Sequence, residues 1–234
     1  MEFKKPKVIC YDWDNTLVNT LPVTLISMNL LYKKYGIPEL VVDDVYKING
    51  YSFEQVFVAT FGKEQARKIQ DEYQLIYNQY SQNMLQPLEG AKEAIRFFHN
   101  EGIKQCVLSN KPGTIVREEA ERFGFAKYFE LIAGPDDTGA AKPDRAMFDI
   151  VEKTIEFKDK WHHPSKLWFF GDANVDAEFA KNINAHLFFF GDKSLINNFP
   201  TDQLTMLKSR HEIKHFTFED GDKNSSQVVQ SIVV

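Results

Sequence analysis

Four short polar clusters carry the residues of this chain that could do chemistry, and each follows an apolar run. The first is Asp12-Trp13-Asp14-Asn15-Thr16, directly after Val8-Ile9-Cys10-Tyr11. Two carboxylates two residues apart on such a loop can be aimed at one point. The same pattern also makes an Asx-type turn or a helix cap. The second is Ser109-Asn110-Lys111. A hydroxyl and backbone N–H groups there can hold phosphate oxygens or make an ordinary capping turn. The third is Lys142, in Ala141-Lys142-Pro143-Asp144; it is a counter-charge for an anion or a solvated surface lysine. The fourth is Gly171-Asp172-Ala173-Asn174-Val175-Asp176. Two acids four apart at a strand-to-helix turn fit a magnesium site, or an N-cap favoured by the helix dipole.

Such clusters act together only if the chain brings them to one place, and the hydrophobic pattern says how. Val8–Tyr11, Ile103–Leu108, Leu131–Ala133, Leu167–Phe170 and His186–Phe190 are short apolar runs that read as buried strands. Between them lie helical stretches at 91–100, 114–123, 144–153 and 175–182. Strand and helix alternate, which predicts an α/β fold: a Rossmann-like parallel sheet in a three-layer α/β/α core. In an open sheet of this kind, ligands bind at the C-terminal ends of the strands, where all four clusters fall.

The segment from about Leu21 to Met84 has a different texture. Leu25, Met28, Leu31, Tyr32 and Tyr35 recur at helical spacing until Gly36-Ile37-Pro38. Further helices are expected from Ser52 to Thr60, with Ser52 as N-cap, and from Lys63 to about Gln82. Residues 1–18 and 87–234 are therefore expected to form the core and residues 19–86 an inserted all-helical cap. The expected hinges lie near Val18–Pro22 and Gln86–Gly90. Towards the C-terminus, His215–Phe218 reads as an edge strand and Ser226–Val233 as a closing helix.

Composition narrows the class. The chain has 234 residues, 43% of them hydrophobic, and a net charge of −5 with no Lys/Arg-rich block. That argues against nucleic-acid binding. No apolar stretch is long enough to span a bilayer, and Met-Glu-Phe-Lys-Lys-Pro leads straight into a strand without a signal-peptide pattern. Cys10 and Cys106 each lie in an apolar run and read as buried thiols of a reducing compartment. A cytoplasmic protein with no membrane partner is expected. Phe188-Phe189-Phe190 fits a buried central strand better than a base-stacking platform.

The order of the clusters, an acid pair, then a hydroxyl, a lysine and a second acid pair, resembles the haloacid dehalogenase superfamily over residues 1–18 and 87 to about 190. Pro87-Leu88-Glu89-Gly90, Leu108-Ser109-Asn110-Lys111-Pro112 and Lys142-Pro143 resemble its phosphoglycolate-phosphatase-like branch most. The resemblance implies an Mg2+-dependent hydrolysis of a small phosphorylated metabolite through an aspartyl-phosphate on Asp12. Asp14 is implied as general acid and base and Lys142 as the charge partner. The implied metal donors are the Asp12 carboxylate, the Asp14 backbone carbonyl and Asp172. Asp176 is implied to assist through a water or by pairing with Lys142. Thr16, Ser109 and Asn110 are implied on the substrate side, with Lys111 as a secondary contact.

Asp14 favours a phosphatase or a phosphomutase, because dehalogenases and transport ATPases of the superfamily lack an acid there. A non-catalytic protein that keeps the fold is the third possibility. Trp13 departs from the Phe or Leu common in the family; it either lines the substrate pocket or packs under the cap, and packing is the favoured reading. Ala173-Asn174-Val175 departs from a Ser/Thr pattern but leaves both acids in place. Lys47-Ile48-Asn49-Gly50-Tyr51-Ser52 is either the cap's substrate loop or a plain interhelical turn.

Overall fold

The computed structural model describes residues 1–48, 53–155, 163–196 and 198–219. At its centre is β1 (Val8–Tyr11), every residue of which is buried. The chain then leaves the sheet through four helices: α1 (Leu21–Lys34), α2 (Val42–Ile48), α3 (Phe53–Phe61) and α4 (Lys63–Met84). It returns as α5 (Ala91–Asn100), β2 (Lys104–Leu108), α6 (Gly113–Phe123) and β3 (Leu131–Ala133). The remaining elements are α7 (Asp149–Thr154), β4 (Leu167–Gly171), α8 (Asn174–Asn182), β5 (His186–Phe189) and β6 (Leu204–Met206).

The six strands form one parallel sheet in the order β3-β2-β1-β4-β5-β6. This is the doubly wound order, and its crevice opens between β1 and β4, where the direction of winding reverses. Side chains alternate between two buried faces. Ile9, Tyr11, Val107, Trp168 and Phe170 join Ile95 and Phe98 of α5 and Val116 of α6 in one layer. Val8, Cys10, Leu108, Phe169 and Leu187 join Val151 of α7 and Ala177 and Phe179 of α8 in the other. A strand covered on both faces has no polar side to alternate with, which is why these runs are continuously apolar.

In the helical insert, α4 packs against both α1 and α3. Asn15 starts α1: its Oδ1 accepts from the backbone N–H of Leu21 at 3.1 Å. Val18–Asn19 and Gln86–Pro87 pair antiparallel, so the two crossings between insert and core run side by side at the two expected hinge regions. The expected helix start at Ser52 and the loop 49–52 lie outside the described residues, as does 226–233.

Two expectations are corrected by the structure. The helix expected from Asp144 opens as a 3-10 turn over Arg145–Phe148, capped by Asp144, and becomes α-helical only at Asp149. The expected strand His215–Phe218 is reduced to Thr217–Phe218, which pairs in parallel with Glu2–Phe3, apart from the main sheet. The sheet edge is instead β6, a three-residue strand too short to show a period in sequence.

Candidate active site

The crevice between β1 and β4 holds the acids. Asp12 follows β1, Asp172 follows β4 and Asp176 lies in the first turn of α8. Carboxylate oxygens of these three lie within 4.8 Å of one another. Lys142 comes in from the loop before the Arg145 turn, buried, with its Nζ 2.5 Å from Asp12 Oδ1 and 2.7 Å from Asp176 Oδ1. Asp176 also accepts the backbone N–H groups of Asp172 and Ala173, at 3.1 Å each, through Oδ2. One carboxylate thus caps its own helix and fixes the lysine. Gly171 allows this approach: a Cβ there would stand 2.5 Å from the Asp176 Cβ.

Burial raises the pKa of two of these acids. It pushes Asp12 well above the usual carboxylate range; Lys142 opposes the rise, and Asp176, Asp172 and Asp14 add to it. Asp172 is raised to about 7, by burial first and by Asp176 second. Burial alone would lower the Lys142 ammonium, but Asp12 and Asp176 outweigh it and hold the group above its ordinary value.

Three carboxylates converge here beside one ammonium, Asp12 and Asp176 buried and Asp172 half-buried. The donors are hard oxygens that converge on one point, a set suited to a divalent cation. The residues present therefore fit a magnesium-type ion.

The remaining expected residues surround this cluster. Thr16 Oγ1 donates to Asp172 Oδ1 at 3.1 Å, joining the loop after β1 to the loop after β4. Ser109 is buried after β2, and its Oγ accepts the Lys111 N–H at 3.1 Å. The Asn110 side chain grips the Lys142 backbone twice: Oδ1 accepts from Lys142 N at 2.7 Å and Nδ2 donates to Lys142 O at 3.1 Å. Asn110 therefore holds the lysine loop in place. The Asp14 carboxylate pairs with Lys111 Nζ at 2.6 Å.

Lys111 is the residue whose importance the sequence understated. It is buried, and its Nζ also donates to Tyr77 Oη of α4 at 2.8 Å and to both oxygens of Glu119 on α6 at 3.2 Å. Glu119 in turn accepts from Trp13 Nε1 at 2.6 Å and from Tyr77 Oη at 3.0 Å. Trp13 is fully buried, as its packing role required. Burial alone would lower Lys111; Asp14, Tyr77 and Glu119 outweigh it and hold its pKa well above the ordinary range. The sequence signal for Glu119 was a charge between Val116 and Ala120 on the inward face of α6.

A family model described as haloacid dehalogenase-like hydrolase matches residues 9–190. The chain belongs to that family. Among curated relatives of this haloacid dehalogenase-like chain, a phosphoglycolate phosphatase of Aquifex aeolicus is 26% identical over 75% of the chain and 80% of its own length. A phosphoglycolate phosphatase of Pseudomonas fluorescens is 25% identical over 75% of the chain, and the match spans 66% of that protein's length. An N-acetylmuramic acid 6-phosphate phosphatase of Pseudomonas aeruginosa is 21% identical over 76% of the chain and 78% of its own length. Among solved structures, a haloacid dehalogenase-like hydrolase of Streptococcus pneumoniae superposes with a TM-score of 0.76 at 16% identity, covering 90% of this chain and 98% of that one. Protein Tyrosine Kinase A of Mycobacterium tuberculosis superposes at 0.70 with 18% identity, covering 90% of this chain and 97% of that one. The shared fold alone therefore does not fix the reaction.

Proposed function

We propose that this hydrolase is a magnesium-dependent phosphatase of a small phosphorylated metabolite, working through an aspartyl-phosphate on Asp12. The observation that carries the reading is the convergence of Asp12, Asp172 and Asp176, with Lys142 bound to the first and the last. The second acid, Asp14, stands two residues after the nucleophile.

In this reading an Asp12 carboxylate oxygen attacks phosphorus and the substrate's alkoxide leaves. Asp14 gives that oxygen a proton, then takes one from the water that attacks the phosphorylated Asp12; inorganic phosphate departs and the carboxylate is restored. Lys142 offsets the repulsion between Asp12 and the anionic substrate. A bound divalent ion, held by Asp12 and Asp172 with the Asp14 carbonyl and with Asp176 alongside, would supply the remaining charge neutralisation. The Ser109 hydroxyl and nearby backbone N–H groups receive phosphoryl oxygens, while Thr16 and Asn110 hold Asp172 and Lys142 in register.

Residues 19–86 act as a cap that closes over the crevice and selects the substrate. Tyr77 supports this role, since it carries α4 directly onto Lys111 and Glu119. Curated relatives named phosphoglycolate phosphatase support small phosphorylated carboxylates as the first substrates to try. The test is phosphate release from a panel of phosphorylated metabolites in magnesium, with sugar 1-phosphate to 6-phosphate interconversion assayed in parallel. Phosphate release from at least one metabolite is expected. Interconversion without release, or no turnover of any member, refutes the reading.

A further inference from the structure

The family match ends at residue 190, yet a side chain well beyond it reaches the loop that follows β1. Arg210 Nε donates to the Thr16 carbonyl at 2.9 Å, and its Nη2 donates to the Asn15 carbonyl at 2.6 Å. The guanidinium lies over the Phe190 ring, 4.1 Å from its centroid. These two carbonyls belong to the residues directly after Asp14, in a loop where Asn15 takes a left-handed φ of 57°. A backbone turn of that shape needs outside support, and a planar fork of donors is suited to bridging two adjacent carbonyls.

Arg210 is itself held firmly. It opens a 3-10 turn, Arg210–His215, capped by Ser209 and Glu212. Ile213 and Phe216 anchor the turn in the core, and Leu207 N–H binds the Phe189 carbonyl at the end of β5. The same turn touches the second crossing between insert and core. Gly90, at φ +80°, leaves so little room that a Cβ there would stand 2.9 Å from the His211 backbone nitrogen. His211 Nε2 lies 3.1 Å from Glu89 Oε1. The C-terminal turn thus bears on both crossings at once.

We infer that Arg210 is a positioning residue, which holds the Asp14–Thr16 backbone so that Asp14 meets the leaving oxygen. This deepens the phosphatase reading and rests on it for the catalytic part; the bracing of the loop stands apart from it. A static packing role would slow all substrates alike. A role in aiming Asp14 falls hardest on substrates that need proton donation.

The experiment compares wild type with Arg210→Gln in two measurements. The first is the ratio of kcat on an alkyl phosphate to kcat on p-nitrophenyl phosphate, whose leaving group needs little protonation. It is expected to fall by about tenfold or more in the variant. The second is amide hydrogen exchange, where residues 13–18 are expected to exchange about tenfold faster and α8 to be unchanged. Should Arg210→Gln not fold, Arg210→Lys, which keeps the charge but not the fork, is read in the same two assays with smaller shifts of the same sign. An unchanged kcat ratio overturns the catalytic part, and unchanged exchange at 13–18 overturns the brace. If wild type hydrolyses no phosphate monoester, the phosphatase reading and the aiming role fall together, and the exchange result still decides the brace.

Discussion

Asp14 and Lys111 form a 2.6 Å ion pair whose lysine is simultaneously bound by Glu119 of the core and Tyr77 of the helical insert. The second acid of the first cluster is therefore tied to two elements that the sequence places far from it. Glu119 is the centre of this network, receiving Trp13, Tyr77 and Lys111. Glu119→Ala removes one partner of a buried pair and strands the Trp13 N–H. A loss of about 3 kcal/mol is expected in urea denaturation. A loss below about 1 kcal/mol would show that water or Asp14 replaces Glu119 without cost.

Asp172 is expected to hold metal without being the nucleophile. Mg2+ should raise the melting temperature of wild type in proportion to RT ln(1 + [Mg2+]/Kd). Asp172→Asn should lose most of that rise while keeping its metal-free stability. Equal magnesium shifts in both proteins would remove Asp172 from the donor set. Chelation should abolish turnover, and added Mg2+ should restore it.

Gly171 stands where a side chain would collide with Asp176. Gly171→Ala is expected to displace that carboxylate and with it Lys142, costing about 1–3 kcal/mol and lowering kcat. A variant as stable and active as wild type would mean that α8 shifts freely, contrary to its packing of Ala177 and Phe179 on the sheet.

His186 gives a pH dependence remote from the acids. It lies on β5, with Nε2 2.8 Å from Thr205 Oγ1. Burial lowers its pKa to about 4, with Asp202 opposing the shift. In the unfolded chain a histidine titrates near about 6.5. Between those values the unfolded chain binds a proton that the folded chain refuses, so stability falls as pH falls through the window, by up to about 3 kcal/mol. His186→Gln should lack this part of the slope when denaturation is compared at neutral and acidic pH. Identical slopes would place the acid sensitivity elsewhere.

What the sequence revealed depended on how local the signal was. The apolar runs ending in Asp12, Ser109 and Asp172 announced their strands because a doubly covered strand is apolar throughout, and the same runs put the acids at strand ends. The strand order could not be read this way, since no local pattern says that β1 lies between β2 and β4. The same limit left Lys111 a secondary contact and hid Tyr77, Glu119 and Arg210. Each has a partner tens of residues or more away, so its role exists only once the chain is folded. Asn110 shows the limit in another form. Its place beside Ser109 suggested a substrate contact, and nothing local in the sequence foretold that its amide also pairs with the Lys142 backbone from a different loop.

The most direct measurement is magnesium-dependent hydrolysis of an aryl phosphate by wild type and Asp12→Asn, with thermal unfolding of both as a check on folding. Asn keeps the shape of the side chain and removes the attacking charge. Wild type should turn over, and the folded variant should lose about 10³-fold or more of kcat. Turnover by Asp12→Asn within tenfold of wild type would contradict the assignment of Asp12 as the nucleophile.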